Sequence, residues 1–545
     1  MPPPAGPARW WAPLLALAVI AGACSALDGD DATPAQEPVT TIPEASTLLR
    51  VASGEWTDCL HPLLCDDDVA RTLVLEHVVP KLMEVDGEGR YVPSPVLASE
   101  PEVRVDDETG EQTIVFVIDP AARWHDGRPI TSSDVTGTWL AHLRTPGADT
   151  RGHRLITAID DSDPLVARVT LSQRYADWPE LFGGQEGWLL QADAFDGDAD
   201  LSDVWRDFVP FGAGPFELVS FDERSLVLVA RRDHWAAGRQ ARIDQVRIEH
   251  VAGVGETEGS VPGGIDVVLP AVRLDRVPEG YGQRDVAAPA VVGVFFDRRT
   301  APLGSAGVRA AVDQALDRRE LASLGTGSSD RPSLVGCLAA LPADEACEAD
   351  LPRTNADLDA ARFLLELDGW PVDPATGVRG RPGLPLATPV TYDPAVPGAR
   401  PIAGAVAEAL ESVGFAVEVR ELDHASWADP ARAEGAGVSI QAVPLGTTSD
   451  VARLYGCSGA GMNALGWCDA DVQGLVDRLR RTLAEDGQDS LRADISGRAA
   501  EALSWLPLRQ RVRTWLFDGT RLAVPSSQPL AGGRLGALHA FERLD

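Results

Sequence analysis

The chain has 545 residues, with 82 acidic against 48 basic side chains and a formal net charge of −34. That balance argues against nucleic acid as a partner, because phosphate binding needs a basic face; the acidity reads as a solvated surface that favours solubility. The hydrophobic content of 44 % is that of an ordinary globular protein, and the length suffices for two or three domains.

In chain order, the first feature is an export signal. Arg9 precedes an apolar run from Trp10 to Ala23 that closes on Ile20-Ala21-Gly22-Ala23-Cys24. The run fits a signal-peptide core and falls short of the ~20 residues that span a bilayer. Residues 1–24 therefore read as a lipoprotein signal, with Cys24 as the lipidated residue; an ordinary secretory signal cut after an A-x-A-like site is the alternative. Both place the mature chain outside the cytoplasm. Residues 25–47 are acidic, with Asp28, Asp30, Asp31 and Glu37, and carry Pro34 and Pro38 but few large apolar groups. Such a stretch is expected to be a flexible tether.

Seven cysteines occur in all. With Cys24 set aside, Cys59 and Cys65, Cys337 and Cys347, and Cys457 and Cys468 form three close pairs. An even number in an exported chain argues for disulfides, and sequential pairing is the simplest of the fifteen connectivities. Their spacings are not those of a zinc ribbon.

Strand and helix signals then alternate. Apolar runs at residues 114–118, 226–229 and 291–296 have strand length, and Val246 and Ile248 alternate with charged neighbours. Val308, Ala311, Val312, Ala315 and Leu316 keep one helical face. So do Ile402, Val406, Ala409, Leu410 and Val413. A third face, Val472, Leu475, Val476, Leu479 and Leu483, has Asp469 placed to cap it. Each stripe is expected to be core. Residues 370–400 and 256–264 are rich in Pro and Gly, or in turn formers, and read as loop and turn. The order of elements implies α/β architecture in more than one lobe.

Four segments carry an identification. Trp124-His125-Asp126-Gly127-Arg128-Pro129-Ile130-Thr131-Ser132-Ser133-Asp134-Val135 is a tight turn followed by a helix start, with Thr131 and Asp134 at capping-box spacing. Gly212-Ala213-Gly214-Pro215-Phe216 precedes a strand pair that ends near Trp235. Phe295-Phe296-Asp297 leads to Val308-Arg309-Ala310-Ala311 and on to Asp317-Arg318. Ala361 to Trp370 is a helix ending in Gly-Trp, and the next helix leads to Val413-Gly414-Phe415-Ala416-Val417. In this order the set resembles the bacterial extracellular solute-binding proteins of family 5, the group of the dipeptide- and oligopeptide-binding proteins. The likeness runs from about Leu48 to about Pro529.

The resemblance implies an α/β, two-lobed periplasmic-binding-protein-like (type II) fold with an additional small α/β domain and a cleft between the lobes. Residues 48–66, 201–288 and 508–545 are expected to form lobe I, residues 67–200 the small domain, and residues 289–507 lobe II. The implied function is capture of peptides or a related small solute by lobe closure, and delivery to an ATP-driven (ABC) permease. The implied setting is a lipid-anchored monomer on the outer face of the cytoplasmic membrane, without cofactor or metal. A sensor or surface-interaction protein on the same fold is the alternative. Because some family members bind nickel complexes or haem, a metal chelate as ligand stays open.

Trp124, Gly127, Asp134, Gly214, Arg309 and Asp317 are expected to hold turns and helix ends. Cleft candidates come from loops. In peptide-binding members an aspartate of a D-Y-x-D-P-like segment pairs with the ligand's ammonium. The matching segment here is Gly446-Thr447-Thr448-Ser449-Asp450-Val451, where Thr447 replaces the first acid and Asp450 matches the second. Asp450 is equally a turn or cap residue. Arg453, Tyr455 and Trp467 lie beside it in the chain, the latter two flanking the Cys457–Cys468 loop with Gly459 and Gly461; packing around that loop is the competing role. Trp56 and Asp58 lie near the N-terminal loop that borders the cleft in the family.

Catalysis is not expected. Gly456-Cys457-Ser458-Gly459-Ala460 falls one residue short of a nucleophile elbow and lacks its strand-turn-helix context. The chain has no H-E-x-x-H and no P-loop, and its nine histidines are scattered.

Overall fold

The computed structural model describes residues 47–544, apart from 66–67, 87–89, 151, 185–186, 196–199, 255–260, 270–273, 275, 326–333, 342–346, 348–354, 430, 458–465 and 526–534. The export signal, Cys24 and all but the last residue of the tether lie outside the described residues.

One ten-stranded sheet organises the chain. Its strands are β1 (Leu48–Ser53), β6 (Phe216–Phe221), β7 (Ser225–Ala230), β8 (Gln245–His250), β9 (Val267–Leu269), β10 (Tyr281–Phe296), β11 (Ala387–Tyr392), β12 (Ala416–Glu421), β13 (Val438–Pro444) and β14 (Trp505–Asp518), in the order β12-β11-β13-β10-β14-β9-β1-β8-β7-β6. A separate antiparallel sheet of β2 (Glu102–Val105), β3 (Gln112–Val117), β4 (Ile156–Asp163) and β5 (Val166–Leu171) has the order β2-β3-β5-β4. On β3 the inward residues Gln112, Ile114 and Phe116 alternate with half-buried ones, the period expected of a sheet covered on one face.

The helices used below are α1 (Ser132–Arg144), α2 (Ala306–Ala315), α3 (Leu358–Leu367), α4 (Ala399–Ser412), α5 (Thr448–Tyr455), α6 (Ala470–Leu479) and α7 (Glu485–Glu501). The apolar stripes of α2, α4 and α6 are buried as their spacing predicts, except that Ala409 of α4 is half-buried. Asp469 caps α6 by accepting from the Asp471 and Val472 amides, and the helix stops before Leu483.

The hydrophobic cores divide the molecule in two. One core, from Leu49 through Phe116, Trp124 and Val246 to Phe541, draws only on residues 49–286 and 515–541. Two others, built on α2 to α4 and on α5 to α7, draw only on residues 291–508. Among the described residues, only β10 and β14 run through both bodies. They pair antiparallel from Tyr281↔Asp518 to Phe295↔Trp505, with a register shift between Ala287 and Val291. That shift sits where one core ends and the next begins. Gln510 Nε2 donates to the Ala288 carbonyl there at 3.0 Å, and the Leu445 amide donates to the Pro289 carbonyl at 3.1 Å.

The motif residues act as scaffold. Asp134 accepts from the Thr131 amide at 2.8 Å, from buried Trp124 Nε1 at 3.2 Å and from the Ala192 amide at 2.8 Å, which fixes the start of α1. Gly127 takes a positive φ of 87° in the turn before it. A Cβ on Gly214 would lie 2.2 Å from the His77 carbonyl oxygen, so glycine is required for that approach. Arg309 Nη1 donates to the Leu303 and Gly304 carbonyls at 2.9 and 3.0 Å, and Asp317 caps the helix Arg318–Ser323.

Two segments differ from the sequence expectation. Residues 370–400 do not form loop throughout: β11 lies inside them. Thr388, Val390 and Thr391 suit a strand, and Pro389 is tolerated because the pairing with β13 begins only at Val390. The strand expected at residues 291–296 extends back to Tyr281, because β14 offers it a partner along that whole length.

Candidate functional site

Strand direction locates the site. β1 runs parallel to β8 and β9, and the pairs Val267↔Phe517 and Val268↔Leu516 show β9 heading toward the middle of β14. β13 is parallel to β11, which is parallel to β12, and its register from Phe296↔Val438 to Ala290↔Pro444 heads toward the same crossing. The carboxyl ends of the parallel strands in both lobes therefore converge on the hinge. In open α/β sheets ligands bind outside such ends. The loops after β1, β8, β11, β12 and β13 are therefore the candidate walls of the cleft.

The loop after β1 carries Trp56 and Asp58. The Trp56 indole stacks at 6.2 Å on Phe221 and 5.7 Å on His250, and its Nε1 donates to the Asp222 carbonyl at 3.2 Å. Asp58 is exposed. The Cys59–Cys65 disulfide closes this loop, with Cα atoms 5.8 Å apart. Among the described residues no hydrogen bond or ring contact joins Trp56 or Asp58 to the candidates of lobe II.

The loop after β13 delivers Thr447 to the start of α5. Thr447 Oγ1 accepts from the Asp450 amide at 3.0 Å, and the Asp450 carboxylate accepts from the Thr447 amide at 3.0 Å, a complete capping box. Arg453 donates to the other Asp450 oxygen. Thr447, Asp450 and Arg453 are thus brought together, but on one another. Tyr455 is fully buried, edge-on to Trp467 at 5.5 Å. Trp467 in turn has the Arg298 guanidinium 5.6 Å from its ring. Burial, reinforced by the Arg309 charge, lowers the Arg298 pKa to about 10. The Cys457–Cys468 disulfide fixes this corner, with Cα atoms 4.9 Å apart; Ser458, Gly459 and Gly461 lie outside the described residues. The third bridge joins Cys337 to Cys347.

Two features of the site escaped the sequence. At the end of β11, Asp393 is buried and accepts from the Ala395 amide at 2.9 Å; burial raises its pKa, while the His424 and Arg511 charges oppose the rise. No local motif marks it. In the first body, Asp177 accepts from Thr448 at the start of α5. Among the described residues no group of three His, Cys, Asp or Glu side chains is arranged to hold a metal, and no helix is long and apolar enough to cross a membrane.

Residues 92–463 match the sequence model of the bacterial extracellular solute-binding proteins, family 5 (middle region), well over half of the chain. The chain belongs to this family. Over 294 residues this binding protein is 29 % identical to the probable monoacyl phosphatidylinositol tetramannoside-binding protein LpqW of Mycobacterium tuberculosis, covering 51 % of this chain and 44 % of the relative. Over 146 residues it is 28 % identical to the oligopeptide-binding protein OppA of Mycobacterium bovis, covering 25 % and 24 %. The matches therefore span less than half the length of these curated relatives. Among solved structures, a periplasmic EDTA-binding protein, EppA, superposes with a TM-score of 0.80 at 17 % identity, covering 93 % of this chain and 98 % of the other. AppA of Bacillus subtilis, in complex with a nonapeptide, gives 0.75 at 16 %, covering 92 % and 100 %. NikZ of Campylobacter jejuni, in complex with Ni(L-His), gives 0.71 at 15 %, covering 91 % and 99 %. At these identities the structures establish the two-lobed binding-protein fold and leave the solute open.

Proposed function

We propose that this family 5 binding protein is the solute-capturing receptor of an ATP-driven importer, tethered through a lipidated Cys24 to the outer face of the cytoplasmic membrane. The single observation that carries the capture step is the convergence of the parallel-strand ends of both lobes on one two-strand hinge. Two bodies with separate cores, joined by β10 and β14, can swing without unpacking either. Residues 48–66, 201–288 and 508–545 are assigned to lobe I, residues 67–200 to the small domain and residues 289–507 to lobe II. The tether keeps the receptor at raised effective concentration near its permease.

The solute is assigned as a peptide or a related amphipathic small molecule. The names of the relatives span oligopeptides and an acylated glycolipid, and their chemistries share a chain with polar and apolar parts. A free α-ammonium group is not favoured as the anchor at α5. Thr447 offers no charge there, and both Asp450 oxygens are already engaged by Thr447 and Arg453. A buried ammonium would lack a charged partner at that point.

The test is mass spectrometry, under native conditions, of whatever co-purifies with the protein from its own host. A bound amphipathic solute is the expected result. Recovery only of peptides with free N-termini would show that the Thr447 substitution carries no such restriction. Small-angle scattering should show compaction on adding the recovered solute; tight binding without compaction would remove the closure mechanism.

A further inference from the structure

Three consecutive residues beside the four-stranded sheet reach into lobe II. The Asp177 carboxylate, 4 % exposed, accepts from the Thr448 amide at 2.9 Å, from Thr448 Oγ1 at 2.6 Å and from Ser449 Oγ. Ser449 has spent its only proton on Asp177, so the Tyr175 hydroxyl, 3.4 Å from Ser449 Oγ, is the donor of that pair. The Ala176 amide donates to the Arg480 carbonyl, just past α6, at 2.8 Å. On its own side the segment is rigid. The Tyr175 amide donates to Gln112 of β3 at 2.7 Å, the Glu180 amide donates to the Asp177 carbonyl at 3.0 Å, and Trp178 packs 6.0 Å from Phe116.

Asp177 lies outside the strand-end loops of lobe I, Thr448 and Ser449 follow the loop after β13 as the first turn of α5, and none of the three is a hinge residue. The contact therefore joins the two bodies at a point separate from β10 and β14. A buried carboxylate with three donors in the first turn of a helix is a charge-assisted contact, stronger than neutral hydrogen bonds. On opening, water must replace every donor at once, on both surfaces. The contact also depends on lobe position, since its two halves sit on separate cores.

We propose that residues 175–177 form a latch, with Asp177 as its positioning residue, that holds the lobes closed and sets the ratio of closed to open receptor before any solute is touched. The inference rests on the reading of this chain as a receptor whose lobes swing. Because apparent affinity scales with the population of the competent state, the latch tunes affinity through that population.

The test uses the solute-free full chain and two variants, Asp177→Ala and Ser449→Ala, by amide hydrogen exchange and small-angle scattering on the same samples. Loss of the charge-assisted bonds should lower the closed-to-open ratio about tenfold or more. The Ala176 amide, whose own bond to Arg480 neither variant removes, should exchange faster by that factor, and the radius of gyration should rise. Ser449→Ala should give a smaller change in the same direction. Unchanged exchange in β14 shows that the fold is intact. A compact wild type with variants equally compact, and with Ala176 still slow to exchange, would overturn the latch alone. A wild type already as expanded as the variants, and indifferent to the recovered solute, would overturn lobe closure and the receptor reading with it.

Discussion

Trp505 Nε1 donates to the hydroxyl of Tyr455 at 2.8 Å, and that hydroxyl donates onward to the Leu338 carbonyl. This relay ties the end of α5 to β14 inside lobe II. Burial raises the Tyr455 pKa, so the phenol stays neutral and keeps its donor. Tyr455→Phe should leave the Trp505 N–H and the Leu338 carbonyl without their partner. The expected cost is about 1–3 kcal/mol, measured as a lower denaturant midpoint with an unchanged slope. Because Tyr455 is 1 % exposed, solute affinity should hold; a lost affinity with intact stability would place the hydroxyl in the site.

Asp450 presents the opposite case, a charged residue occupied by its own helix. Asp450→Ala removes the capping box and leaves Arg453 without this partner. The loss should be about 1–2 kcal/mol, read by thermal unfolding. Asp450→Asn keeps an acceptor for the Thr447 amide and should lose less. Equal losses would mean that the Arg453 ion pair, not the cap, dominates.

Gly214 should tolerate no side chain. A Cβ there would overlap the His77 carbonyl, which is backbone and cannot rotate away. Gly214→Ala is expected to destabilise by about 1–3 kcal/mol. Gly238, whose Cβ would meet nothing within 4 Å but whose φ is 86°, supplies the control: Gly238→Ala should show backbone strain without overlap, and a smaller loss.

Acid should destabilise the first body through its buried imidazoles. His77 and His142 are pushed down by burial to about 4, from an ordinary 6.5. His142 also stacks on buried His153 at 3.7 Å. The unfolded chain binds these protons near pH 6.5, whereas the folded chain resists them until about pH 4. Stability is therefore full above pH 6.5 and falls as the pH drops through this window. Each group should account for roughly 2 kcal/mol of loss at pH 5. Denaturant midpoints between pH 7 and pH 5 check this. His142→Gln, which cannot titrate, should flatten the profile; an unchanged profile would assign the acid sensitivity elsewhere.

Much of the scaffold was legible because its causes are local. The turn at Asp126-Gly127, the capping box of Thr131 and Asp134, the stripe of α2 and the cap at Asp469 each depend on neighbours within one or two helical turns. The close cysteine pairs are likewise joined as neighbours in the chain. β11 was hidden for the converse reason. A proline-bearing stretch becomes a strand only when β12 and β13 offer parallel partners, and those partners lie outside any sequence window.

Local pattern carried the family resemblance, many of the strands and helices, and the glycines and caps that hold them, since propensity, periodicity and capping act over a few residues. Tertiary structure alone decided which residues meet. It turned Asp450 onto its own helix, sank Tyr455 into a core, and set Asp177 against Thr448 across 271 residues of chain. The physical reason is that β10 and β14 both cross between the lobes, so the cleft is assembled from loops whose proximity no local pattern encodes.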